Sequence, residues 1–290
     1  MKKRITNLMA LCTLISFGVT AQIQTPAPSP AGSVSSTVGL TDVTIDYFRP
    51  GKKGRKIFGE GSDFLVPYGQ VWRTGANAGT ILALSSDVKI GGKDVKAGEY
   101  QIVSKPGASS WEIMLLTDKI GGNMNNYKED IVAAKVSVPS MKNGASVERM
   151  TFQVANISED NTKADIQFTW ENTMVNIPVE VDYDAAVMAD IAAKTQVAPG
   201  NYVTAASYYL SSGKDLKQAL EWMNMYLAVG ENSNQFWNVH TKAQILAKLG
   251  MKKEALATAE ESLMNAKSND GGDFGYIKRN EDLIAEVKSK

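Results

Sequence analysis

The sequence predicts a β + α chain in two domains: an antiparallel β-sandwich or open barrel over residues 33–182, then a small helical domain over residues 183–290. Three observations predict it. Apolar and polar residues alternate with period two from Val43 to Val181, as in strands with one wet and one buried face. The runs are separated by short turn segments, which join antiparallel neighbours because a parallel crossover needs about a dozen residues or more. After Asp182 the apolar spacing changes to three and four, the period of helices.

The chain has 290 residues, enough for about two domains of roughly 150 residues each. Apolar residues make up 43% and charged residues 21%, so real cores can form. Thirty-one basic side chains balance 31 acidic ones, which argues against a broad nucleic-acid surface.

Residues 1–21 read as a secretory signal peptide. Lys2, Lys3 and Arg4 precede an apolar stretch from Leu8 to Val19, and Val19-Thr20-Ala21 supplies a small-residue cleavage site. The stretch is shorter than the roughly 20 residues a membrane span needs, and no later stretch is long enough. The expectation is an exported protein, periplasmic or extracellular, with no membrane span after cleavage. Its charge would be 28 − 31 = −3. Cys12 lies in the signal behind Leu11, not behind the small residue a lipoprotein cysteine wants, so the processed chain would have neither disulfides nor thiol chemistry. Residues 22–32 form a Pro-rich leader (Gln22 to Pro30 reads QIQTPAPSP) that favours extended backbone.

The strands follow in order. Val43, Ile45 and Tyr47 share one face, and the same alternation recurs in Trp111, Ile113, Leu115, in Val132 to Val138 and in Met150, Phe152, Val154. Ile166, Phe168, Trp170 and then Val175, Ile177, Val179, Val181 give the clearest patterns. Turns are expected at Gly91-Gly92, at Asp160-Asn161 and at Glu171-Asn172-Thr173. About nine strands result. Pro178 sits on the polar face of its strand, which suggests an edge position.

In the tail, Leu216, Ala219, Leu220, Met223 and Leu227 form one helical stripe, and Leu256, Ala259 and Leu263 another. Gly213 and Gly250 stand where helix-terminating glycines stand. Ala219-Leu220 and Ala255-Leu256 repeat at a spacing of 36 residues. Ala243, Leu246, Gly250, Ala255 and Ala259 resemble the small-and-apolar spacing of a tetratricopeptide repeat, whose unit is about 34 residues. A plain pair of helical hairpins is the alternative. A repeat-like tail is expected to offer a concave protein-contact surface.

The segment from Asp46 to Thr80 carries a second resemblance. It reads Asp46-Tyr47-Phe48-Arg49-Pro50-Gly51, Lys53-Gly54-Arg55-Lys56-Ile57-Phe58-Gly59, Leu65-Val66-Pro67-Tyr68-Gly69 and Val71-Trp72-Arg73-Thr74-Gly75-Ala76-Asn77. It resembles the bacterial family known as domain of unknown function 2911, over about residues 28–182. Ala97-Gly98-Glu99-Tyr100 is similar too, and Glu60 to Phe64 are an insertion before Leu65 that lengthens a loop. The resemblance implies an exported β-rich domain and no transferable activity; the helical tail is an extension that some members carry.

Read as chemistry, this segment is a candidate ligand site made of Arg49, Arg55, Lys56, Tyr68, Trp72, Arg73 and Asn77. Guanidinium forks on a glycine-rich loop can surround a carboxylate, sulfate or phosphate. Tyr68 and Trp72 can wall a sugar or aromatic ring, and Asn77 adds a donor and an acceptor. The competing reading is bracing, with Arg49, Arg55 and Arg73 paired to Asp42, Asp46 or Asp63.

Catalytic inventory is thin. His240 is the lone imidazole, placed on a helix of the tail as a packing or surface residue, so no Ser-His-acid triad and no His-based zinc site can form in the strand domain. No phosphate-binding loop motif appears, and no metal or cofactor is expected. The oxygen-rich loops Ser158–Asn161 and Asn269–Asp273 lack EF-hand spacing. The expected function is a non-enzymatic binding or scaffold protein for a small anionic or glycan-like ligand, with a helical protein-contact tail. The alternative is a hydrolase using two carboxylates beside the same loop.

Overall fold

A computed structural model describes residues 25–195 and 199–290 of the chain. The expected signal peptide and the first three residues of the leader lie outside the described residues. Two compact units divide at Val181/Asp182.

The first unit is built of strands. In chain order these are β1 (Ala31–Val38), β2 (Thr41–Phe48), β3 (Phe58–Gly59), β4 (Val66–Pro67), β5 (Thr80–Leu84), β6 (Val88–Ile90), β7 (Lys93–Val95), β8 (Gly98–Lys105), β9 (Ser110–Leu116), β10 (Val132–Ala155) and β11 (Lys163–Val181). Nine of them form one antiparallel sheet in the order β1-β2-β5-β8-β9-β10-β11-β6-β7, and β3 and β4 stand apart as a small parallel pair. The antiparallel β architecture read from the sequence is therefore the one observed.

β10 makes the sheet fold over its own core. Its first part pairs with β9 from Val132 to Pro139, and its later part pairs with β11, with register shifts between Lys142, Val147 and Thr151. Bulges of this kind bend a strand so that it passes from one layer to the other. The doubled-back half meets the end of β2, where the Tyr47 hydroxyl donates to the Phe152 carbonyl, and the chain just after it, where Gly51 bridges Arg149. Between the layers sits an aromatic core of Phe58, Trp111, Phe152, Phe168 and Trp170, all buried. Edge-to-face contacts run through it, with Phe58 4.8 Å from Trp111 and Phe152 5.4 Å from Phe168 between ring centroids. Each such ring contributes about 2–3 kcal/mol through burial.

Three local expectations change. Glu171-Asn172-Thr173 is not a turn: β11 runs straight through it, with Glu171 at φ 53°, because the strand bends there opposite the β10 bulges. β11 is not an edge strand, since it lies between β10 and β6. Pro178 is tolerated because it falls after the last β10 pair, at Val175, and before the first β6 pair, at Val179. The leader is shorter than read, as β1 begins at Ala31. The turns at Gly91-Gly92 and Asp160-Asn161 stand as expected.

The second unit holds α1 (Asp184–Thr195), α2 (Tyr202–Ser212), α3 (Leu216–Leu227), α4 (Phe236–Lys248), α5 (Lys252–Lys267) and α6 (Tyr276–Ser289). Gly213 ends α2 in the left-handed region at φ 68°. Asp215 then caps α3, its carboxylate accepting from the backbone N–H groups of Lys217 and Gln218. One core joins Ala206, Tyr209, Ala219, Met223 and Ile245; another joins Ala243, Leu246, Ala255, Ala259, Leu283 and Val287. Small residues at the centres let the helices approach closely. Among the described residues no helix is long and apolar enough to cross a membrane.

Candidate functional site

The segment from Trp72 to Thr80 concentrates backbone strain. Thr74 (φ 51°) and Asn77 (φ 50°) occupy the left-handed region, and Gly75 and Gly79 also have positive φ. For a β-branched residue this is a true outlier, costing about 1–3 kcal/mol, and it persists only where the surroundings over-determine it.

The surroundings are a buried polar cluster. The Thr74 hydroxyl donates to Ser104 Oγ at 2.8 Å, and the Thr80 hydroxyl donates to the Thr74 carbonyl. Trp72 and Ser104 exchange backbone hydrogen bonds at 2.7 and 2.9 Å. Gln101, fully buried, donates through Nε2 to the Gly121 carbonyl at 2.8 Å and accepts from the Gly121 N–H at 3.0 Å. Gln101 Nε2 also donates to the Ala78 carbonyl at 3.4 Å, so the loop after β9 is tied through it to the strained loop. Gly122 lies so close that a Cβ there would stand 2.4 Å from the Asn77 carbonyl oxygen.

Arg73 is half-buried on this platform. Its Nη1 donates to the Gly122 carbonyl at 3.3 Å, while Nε is sealed from solvent without a partner among the described residues. A guanidinium has five N–H donors, so most of this one is unspent. Asn77 is exposed beside Gly122. The far end of the loop, Ala78 and Gly79, borders a shallow groove of about 390 Å³ floored by Phe48 and Ile81, with Asp46 on its wall.

The other sequence candidates lie elsewhere. Arg49 donates to the Met150 carbonyl at 3.4 Å and to Thr151 Oγ1 at 3.1 Å. Arg55 donates to the carbonyls of Lys52 and Gly51 at 3.1 and 2.6 Å and is exposed. Lys56 sits over the Phe64 ring at 5.6 Å, so the 60–64 insertion packs beside the basic loop and does not seal it. Tyr68 is half-buried after β4. Trp72 is a core ring rather than a free wall: it stacks on Trp170 at 6.0 Å and meets Phe58 edge-on at 5.7 Å, because its backbone is pinned to β8. The structure thus brings Arg73 and Asn77 together around Gly122 and sets Arg49 against residues 150–151 and Arg55 against residues 51–52.

The bracing partners also differ from expectation. None of the three arginines pairs with Asp42, Asp46 or Asp63 among the described residues; they hold backbone carbonyls, the acceptors that an irregular loop leaves unpaired. Sequence reasoning missed Thr74, Thr80, Gln101 and Ser104. Thr80, Gln101 and Ser104 signalled only by polarity at strand positions that ought to be apolar, and Thr74, in the loop before β5, gave no such signal. Among the described residues no group of three His, Cys, Asp or Glu side chains is arranged to hold a metal ion.

No curated protein and no solved structure matches the chain. Residues 29–179 match the family described as "Protein of unknown function (DUF2911)", and since that is more than half of the sequence, the chain belongs to this family.

Proposed function

We propose that this protein is a non-enzymatic binding protein acting outside the cytoplasm, and that its strand unit takes a small anionic ligand, glycan-like in character, at Arg73 and Asn77. The observation that carries this reading is a half-buried guanidinium with a single hydrogen bond among the described residues, presented by a loop held in a strained conformation. Strain of this kind clusters at ligand clamps. An anion bridging the free guanidinium donors would offset the desolvation that Arg73 already carries. The neighbouring groove with Asp46 suits the hydroxyl-bearing body of a sugar acid.

Thermal-shift measurements against phosphate, sulfated sugars and uronic acids test the reading. Stabilisation at millimolar ligand is expected from at least one of them. It is lost in Arg73→Lys, which keeps the charge but not the fork, and kept in Arg55→Ala. Absence of stabilisation by all three classes overturns the proposal. Export is tested separately by N-terminal sequencing of the secreted protein, which should begin at Gln22.

A further inference from the structure

The nine-stranded sheet ends on two edges that are built differently. β7 is three residues long and includes Lys93 and Asp94. Lys89 holds Asp94, and Lys96, just after the strand, holds Asp87 at 2.7 Å. Short length and charged side chains keep such an edge from taking up another strand. β1 is eight residues long, with no charge, no proline and no break in its register against β2. Nothing in it repels a further strand.

Its free backbone groups follow from the ladder. The Arg49 N–H donates to the Pro30 carbonyl at 2.8 Å, and the Ser85 N–H to the Asp42 carbonyl at 3.1 Å. Hydrogen-bonded pairs alternate along an antiparallel ladder, so β2 turns its even-numbered residues to β5 and its odd-numbered ones to β1. Gly32, Val34, Ser36 and Val38 therefore bond to β2. Ala31, Ser33, Ser35 and Thr37 point their N–H and C=O groups outward, where they have no partner among the described residues. Side-chain burial marks the same gap. On the core face of β2, Val43, Ile45 and Tyr47 are buried, whereas Ser36, Val34 and Gly32 opposite them are only half-buried. The core is open along this edge, with Val34 as the apolar side chain left in the opening.

We propose that β1 pairs antiparallel with β1 of a second copy of this chain, about a two-fold axis at Val34. This pairing is independent of the ligand assigned to the strand unit. In this register Ser33 faces the copy's Ser35 and Ala31 faces the copy's Thr37, so every outward residue of both strands finds a partner. Each such pair exchanges two hydrogen bonds, and the four pairs add about eight. The two Val34 side chains meet at a non-hydrogen-bonded position, where Cα atoms stand about 4.5 Å apart, and each covers the other. A second copy is the occupant because the strand is neutral throughout. It offers a charged peptide no counter-charge and sets no repulsion against itself. A two-fold pairing also closes, since it joins the two open edges to each other and leaves only the charged β7 edges outside.

Sedimentation of the purified protein at about 100 µM tests it, with a dimer expected that dissociates on dilution. Ser33→Lys combined with Ser35→Lys, both at exposed positions, sets like charges opposite each other and should leave a monomer with unchanged circular dichroism. Ser33→Lys combined with Ser35→Glu sets opposite charges face to face in this register and should keep the dimer. Hydrogen exchange gives a second readout. From dilute to concentrated protein the amides of Ser33, Ser35 and Thr37 should slow about tenfold or more, while those of Val34 and Ser36, already bonded to β2, stay unchanged. A monomer at about 100 µM, a dimer that survives both lysines, or a monomer with the Lys–Glu combination overturns the proposal. Uniform slowing along β1 overturns it as well, and so does growth of fibres, because a two-fold pair cannot propagate.

Discussion

Thr74 is where the chain's local preference and its tertiary structure disagree most. A threonine left to itself avoids positive φ, yet here the residue is 2% exposed and its hydroxyl is bound to Ser104. Thr74→Val keeps the shape, removes the donor and leaves Ser104 Oγ unpaired in the interior. Urea unfolding should show a loss of about 1–3 kcal/mol; a loss under about 0.5 kcal/mol would mean that the hydroxyl pair does not hold the loop. His240 gives a residue-scale prediction in pH. Burial pushes its imidazole below the ordinary value of 6.5, the bond to Asn280 partly opposes this, and Arg279 adds to the depression. The folded state therefore favours the neutral ring. Its contribution to stability is complete above pH 6.5 and is lost as pH falls from there through the depressed folded value. The urea midpoint of the helical unit should fall between about pH 7 and pH 5, and His240→Gln should flatten that slope. A midpoint that rises in acid would contradict it. None of this was visible in the sequence beyond the presence of one imidazole, since its partner on α6, Asn280, is 40 positions away.

At the scale of elements, the loop after β9 owes its place to Gln101 and to the missing side chain at Gly122. Gly122→Ala would drive a methyl group into the Asn77 carbonyl. Faster hydrogen exchange over residues 118–123, and loss of any ligand-induced stabilisation, should follow; unchanged exchange would show that the two loops are not latched. The same loop explains where periodicity failed. β8 and β9 are buried on both faces, because Ile120, Met124, Tyr127 and Ile131 cover Val103, Met114 and Leu116 from outside. A strand wet on neither side alternates poorly, so β8 left no pattern and β9 showed one only through Trp111, Ile113 and Leu115, whereas strands with one solvated face, such as β2 and β11, were legible throughout. Bends inside β10 and β11 were unreadable for a related reason: a bulge is chosen by the partner strand's register, not by a turn dipeptide.

For the whole molecule, the change of period at Asp182 and the division between two units coincide. Each unit has its own buried cluster of large or small apolar side chains. Residues 25–181, produced alone, should therefore unfold in one cooperative step with intact near-ultraviolet dichroism from the tryptophans of the aromatic core. A fragment without near-ultraviolet signal would show that the strand unit needs more of the chain to fold. The sequence by itself determined the two-part organisation, the antiparallel strands and the family signature, because periodicity, turn chemistry and motif order are all local properties of neighbouring residues. Only the tertiary structure decided that Trp72 packs inward, that Arg73 keeps most of its donors free while Arg49 spends its own on Met150 and Thr151, and that His240 faces Asn280. Those outcomes depend on which distant groups fold up against each side chain, and hydrogen-bond partners 40 to 102 positions away leave no trace in local pattern.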